Sequence, residues 1–149
     1  MLGCQWTALP QSPTDQGGER VAAVRRILVV EDNELNLKLV RDVLRHAGFE
    51  VIEARTGEDG VELATECHPD LVLIDLQLPG IDGVETLKLI RSNDGGRKVP
   101  VVAVTAFAMR ADRERALRAG FDDYVEKPIS VRDLPRHIRH LLDEEQQDE

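Results

Sequence analysis

Asp70-Leu71-Val72-Leu73-Ile74-Asp75 is the stretch that decides the fold. Its four inner residues are apolar without alternation, so a strand from Leu71 to Ile74 expects cover on both faces, the condition of a parallel sheet packed between helices. Outward from it, similar runs stand at Ile27 to Val30, Glu50 to Ala54 and Val101 to Val104, with a shorter, more polar one at Asp123 to Glu126 that suits a sheet edge. Segments of helical period separate them. Leu37, Val40, Leu44 and Ala47 make one apolar stripe, Val61, Ala64 and Cys67 a second, and Val84, Leu87 and Ile90 a third. A fourth helix, around Ala111 to Ala119, offers little bulk beyond Ala116 and Leu117, so it is expected to hold the sheet most weakly. The last helix carries Leu134, Ile138, Leu141 and Leu142; Pro135 must lie in its first turn, with either Ser130 or Asp133 as the cap. Gly48, Gly57, Gly80, Gly83, Gly95, Gly96 and Gly120 fall at the joints, where positive φ or tight turns are expected. The reading is five βα units in a doubly wound, five-stranded parallel α/β sheet.

The 149 residues suit one domain, expected over residues 25–142, with a disordered leader over 1–24 and an acidic tail over 143–149. A net charge of -9 disfavours a nucleic-acid partner, although five of the acids lie in the last seven residues. Cys4 and Cys67 lack metal-ligand spacing and read as free thiols. No secretory signal or bilayer-length apolar run is present, so a cytoplasmic protein with no membrane contact is expected.

Polar residues stand at the ends of the apolar runs: Glu31 and Asp32, Asp75, Thr105, and Lys127. In an open parallel sheet the carboxyl ends of the strands share one edge, so these residues should converge in the crevice there. Close carboxylates repel one another unless a cation compensates them. Mg²⁺ suits an incomplete acidic cluster, since it keeps several waters and also binds phosphate oxygens. Lys127 supplies a point charge and Thr105 a hydroxyl, so the pattern suits a phosphoryl group on a carboxylate.

Four runs carry a resemblance: Ile27-Leu-Val-Val-Glu31-Asp32, Asp70-Leu-Val-Leu-Ile-Asp75, Val101-Val-Ala-Val-Thr105-Ala106 and Tyr124-Val-Glu-Lys127-Pro128. In order and content they resemble the receiver domains of response regulators, over about Arg25 to Leu142. The resemblance implies a flavodoxin-like, CheY-like (βα)5 fold and a phosphoacceptor module of two-component signalling. It implies that Asp75 takes a phosphoryl group from a histidine kinase or histidine phosphotransfer protein, and that Asp32, Asp75 and the backbone carbonyl of Gln77 hold Mg²⁺, with Glu31 acting through water. It further implies that Lys127 and the Ala106 backbone bind the phosphoryl group, that Thr105 swings toward it while Tyr124 turns inward, and that Lys127-Pro128 is a cis peptide. Such a module catalyses only its own phosphorylation and dephosphorylation and signals to a downstream protein target. Glu31-Asp-Asn-Glu-Leu-Asn36, Thr105-Ala-Phe-Ala-Met109 and Lys127-Pro-Ile-Ser130 are most similar to the DivK-type single-domain regulators, though receivers of hybrid kinases carry similar runs.

Two other classes compete. A pseudo-receiver binding partners without phosphorylation would not need the acids, Thr105 and Lys127 together. A haloacid-dehalogenase-like phosphatase also uses an aspartyl phosphate and Mg²⁺, but needs a second Asp two residues beyond the nucleophile, where this chain has Gln77.

Overall fold

The computed structural model describes residues 24–93, 99–106 and 110–147. The leader over 1–23, the Gly95-Gly96 joint, Phe107 to Met109 and the last two residues lie outside that range. Five strands alternate with five helices: β1 (Arg26–Val30), α1 (Glu34–His46), β2 (Glu50–Ala54), α2 (Gly57–Cys67), β3 (Leu71–Asp75), α3 (Gly83–Asn93), β4 (Val101–Thr105), α4 (Arg110–Ala119), β5 (Asp123–Glu126) and α5 (Asp133–Gln147). The strands form one sheet in the order β2-β1-β3-β4-β5, and every neighbouring pair is parallel. The run Leu71–Asp75 is thus the central strand, buried at all five positions, and the polar β5 takes an edge.

Alternation along the strands divides the core into two layers. Leu28, Val30, Val72, Ile74, Val101 and Ala103 face α2, α3 and α4, while Ile27, Val29, Leu71, Leu73, Val102 and Val104 face α1 and α5. The α1 stripe is buried at Leu37, Val40, Val43 and Leu44, and Asn33 caps that helix by accepting from the Asn36 N–H at 3.0 Å.

The α2 stripe differs from the sequence expectation. Gly57, Gly60, Leu63, Ala64 and Cys67 are buried, whereas Val61 is only partly so. Small residues let this helix approach closely: a Cβ on Gly60 would lie 2.7 Å from Cγ2 of Val30, and one on Gly57 would strike Oγ1 of the fully buried Thr86. Gly83, the first residue of α3, is likewise required for space, because a Cβ there would sit 2.8 Å from the Leu76 Cα and 2.9 Å from the Asp75 carbonyl oxygen. The joints that do need positive φ are Gly48, Gly80 and Gly120, together with His68.

Cys67, read from the sequence as a free thiol, is disulfide-bonded in the structure.

At the start of α5 the question of the cap is resolved. Ser130 accepts from the Asp133 N–H through its hydroxyl at 3.1 Å and from the Leu134 N–H through its carbonyl at 3.0 Å. Ser130 therefore supplies the capping contacts, and Pro135, the third residue of α5, lies in the first turn of the continuous helix and forgoes one backbone N–H donor there. The helical backbone continues past Leu142 to Gln147, so the acidic end begins as the last turns of α5.

Candidate functional site

The carboxyl edge of the sheet gathers the polar strand ends. Glu31 follows β1, Asp75 closes β3, Thr105 closes β4, and Lys127 follows β5. Glu31, Asp75 and Thr105 are each no more than 4% exposed, whereas Asp32 faces solvent. Oxygens of Glu31, Asp32 and Asp75 lie within 4.8 Å of one another, close enough to share one cation. The Lys127 ammonium donates to Asp75 Oδ2 at 2.9 Å and lies 3.5 Å from Glu31 Oε1. The opposite Asp75 oxygen accepts from the Gln77 N–H at 3.0 Å, which fixes the carboxylate plane, and Glu31 Oε2 accepts from the Asn33 N–H at 3.2 Å.

One ammonium does not balance three acids. The imbalance is visible in Glu31, whose carboxyl is raised from 4.5 to about 7, first by burial and then by the nearby Asp75, against the opposing pull of Lys127. On Lys127 burial works against the charge, but the hydrogen bond and charge of Asp75, with Glu31 behind it, outweigh that and hold the ammonium above its ordinary range. A cluster of hard oxygen donors with surplus negative charge, one member open to solvent, fits a divalent cation that keeps part of its water shell. The acids present therefore fit Mg²⁺.

The remaining residues singled out in the sequence sit around this cluster. Gln77 is exposed two residues beyond Asp75, and Ala106 is exposed directly after Thr105. The Lys127 N–H donates to the Thr105 carbonyl at 2.8 Å, tying the last two strand ends together, and Lys127-Pro128 is cis. Tyr124 lies further back on β5, paired in register with Ala103. Two further neighbours are placed by the structure, Gly83, read from the sequence only as a joint, and Arg113, which the sequence did not single out. Gly83 lets α3 start against the Asp75 carbonyl, and Arg113 of α4 places its guanidinium 4.7 Å from the Tyr124 ring centroid.

Comparison with known proteins gives a single family. Residues 27–139 match the response regulator receiver domain. The chain belongs to the response regulator receiver family. It is 47% identical over 117 residues to the polar-differentiation response regulator DivK of Brucella ovis, covering 78% of this chain and 93% of that one, and the same holds for the Brucella anthropi protein. Among solved structures, the receiver domain of the sensor histidine kinase PA1611 from Pseudomonas aeruginosa, with magnesium coordinated in its active-site cleft, is 37% identical with a TM-score of 0.74 over 80% of this chain and 98% of that one. A CheY-like receiver from Methanospirillum hungatei is 31% identical with a TM-score of 0.76 over 85% of this chain and all of that one.

This receiver has the flavodoxin-like (βα)5 fold that its strand order describes. Neither competing class is favoured. In particular Asp75 ends the third strand in the middle of the sheet, and Gln77 occupies the position at which a dehalogenase-like phosphatase needs its second acid. Among the described residues no helix is long and apolar enough to cross a membrane.

Proposed function

We propose that Asp75 is the phosphoacceptor of this receiver, taking a phosphoryl group from phosphohistidine on a histidine kinase or phosphotransfer protein. The observation that carries the proposal is the 2.9 Å contact of the Lys127 ammonium with Asp75 Oδ2 inside a buried cluster of acids. In the reaction a carboxylate oxygen of Asp75 attacks phosphorus, the phosphorus–nitrogen bond breaks, and the imidazole of the donor leaves with the bonding electron pair. Little covalent work falls to the protein, so positioning and charge neutralisation supply most of the acceleration. Lys127 then exchanges its contact with Asp75 for an oxygen of the phosphoryl group. The Gln77 N–H holds the attacking carboxylate in place.

Asp32, Asp75 and the Gln77 carbonyl would hold Mg²⁺, with Glu31 reaching it through water. The cation, when bound, neutralises charge on the phosphoryl oxygens. Thr105, buried at the end of the strand beside β3, supplies a hydroxyl to the new phosphate, and the Ala106 backbone a further contact. The space Thr105 leaves is taken by Tyr124, and the change reaches a protein target through α4, β5 and α5. The chain is on this reading a signalling module acting chemically on itself alone, in the cytoplasm, without nucleic-acid or membrane partners.

Incubation with acetyl phosphate and Mg²⁺, read by intact mass, tests the proposal. The expected result is one added phosphoryl group, lost in Asp75→Asn and without metal. No adduct on a folded protein would refute it.

A further inference from the structure

Tyr124 is the only tyrosine of the chain. It is half-buried on β5 and packs against the core layer beneath α2, α3 and α4. Its register partner across the sheet is Ala103, which contributes only a methyl group, and Thr105 follows two residues later on the same pleat. The tyrosine ring, the Ala103 methyl and the Thr105 side chain therefore share one face of the sheet. From α4, Arg113 sets its guanidinium carbon 4.7 Å from the ring centroid, within the range of a cation–π contact. Arg113 is itself exposed, and the partner it has among the described residues is the ring rather than a carboxylate. The rest of α4 holds the sheet weakly, since Ala116 is its buried side chain among those described and Leu117 is 45% exposed. The Arg113–Tyr124 contact is thus one of the side-chain contacts that join α4 to β5.

We propose that Arg113 is a positioning residue that latches Tyr124, holding the ring in the orientation of the unphosphorylated receiver until Thr105 moves. The proposal rests on the reading that phosphorylation of Asp75 turns Tyr124 inward. To turn, the ring must leave the guanidinium, so each latched molecule loses this contact on switching. A cation–π contact at an exposed site biases such a two-state equilibrium by about two- to fivefold. That is enough to set the resting population of the inward state without preventing phosphorylation from overcoming it. The turn also leaves the Arg113 cation without its ring, so the charge presented by α4 changes together with the packing.

The test uses the full chain with ¹³C-labelled tyrosine, whose ring signals come from one residue. Spectra of the parent, Arg113→Gln and Arg113→Lys are compared before and after treatment with acetyl phosphate and Mg²⁺, with intact mass confirming the adduct in each. The expected result is that Arg113→Gln, before phosphorylation, moves the ring signal toward its phosphorylated position, with the inward population raised about two- to fivefold. Arg113→Lys stays nearer the parent, and after phosphorylation all three converge, because the contact is by then broken. A ring signal in unphosphorylated Arg113→Gln that coincides with the parent overturns the latch and leaves the phosphorylation switch standing. An equal shift in Arg113→Lys also overturns it, since the cation would then not be what holds the ring. A parent signal that does not move although the adduct forms refutes the Tyr124 switch and the latch with it.

Discussion

Glu31 shows how a single buried side chain reports the chemistry of the site. Its carboxyl is raised from 4.5 to about 7 by burial and by Asp75. The folded protein therefore binds this proton more tightly than the unfolded chain does. In the metal-free protein the associated stability is full below about pH 4.5 and is lost as pH rises through about 7. A divalent cation competes with the same proton, so Mg²⁺ affinity should climb across that window and level off above it. Thermal melts from about pH 4.5 to about pH 8, with and without Mg²⁺, are expected to show both slopes in the parent and to lose them in Glu31→Gln; an unchanged slope in the variant would count against the assignment. Gly83 makes a different demand on the same site. A methyl there would lie 2.9 Å from the Asp75 carbonyl oxygen and 2.8 Å from the Leu76 Cα, both of them backbone atoms that yield little. Gly83→Ala is expected to cost about 1–3 kcal/mol in chemical denaturation and to slow acetyl-phosphate labelling, since the acceptor loop must shift to admit the methyl. The acids and Thr105 could be picked out in the sequence because they end apolar runs, and Lys127 because it follows the last, more polar strand. The role of Gly83 could not, because it depends on an approach between α3 and the turn after β3 that no local pattern encodes.

At the level of elements, α4 and α5 flank the same edge strand but are held very differently. Leu134, Ile138 and Leu142 of α5 are all no more than 3% exposed, whereas Ala116 is what α4 buries among its described side chains. Hydrogen exchange should therefore be faster in α4 than in α1 or α5, because local opening there exposes little apolar surface. Equal protection across the helices would contradict that. That α4 buries little was readable from its composition, since a segment rich in Arg and poor in Leu, Ile and Val has little to bury. The stripe on α2 is legible only in part, with Ala64 and Cys67 buried as expected and Val61 partly so, for a related reason. Period and hydrophobicity select Val61, but the helix turns Gly57 and Gly60 to the protein interior because only those positions permit it to lie so close to Val30 and Thr86.

For the molecule as a whole, five strand ends share one edge and the acids meet there, so metal binding and global stability are linked. Mg²⁺ at about 100 times its Kd should stabilise the fold by about 2.7 kcal/mol, read as a rise in melting temperature. Asp32→Asn should remove much of that rise and leave the metal-free melt nearly unchanged, because Asp32 is exposed. A variant that still gains the full stabilisation would place the cation elsewhere. The sequence by itself determined the alternation of strands and helices, the parallel sheet and the polar residues at the strand ends, because burial on both faces and the carboxyl-edge rule act through local pattern. Only the tertiary structure decided that Ser130 caps α5, that glycines of α2 and α3 serve close packing, and that Arg113 lies over Tyr124. Each of these depends on the distance between groups far apart in the chain or on a choice between near-equal local geometries, and the packing of the whole domain fixes both.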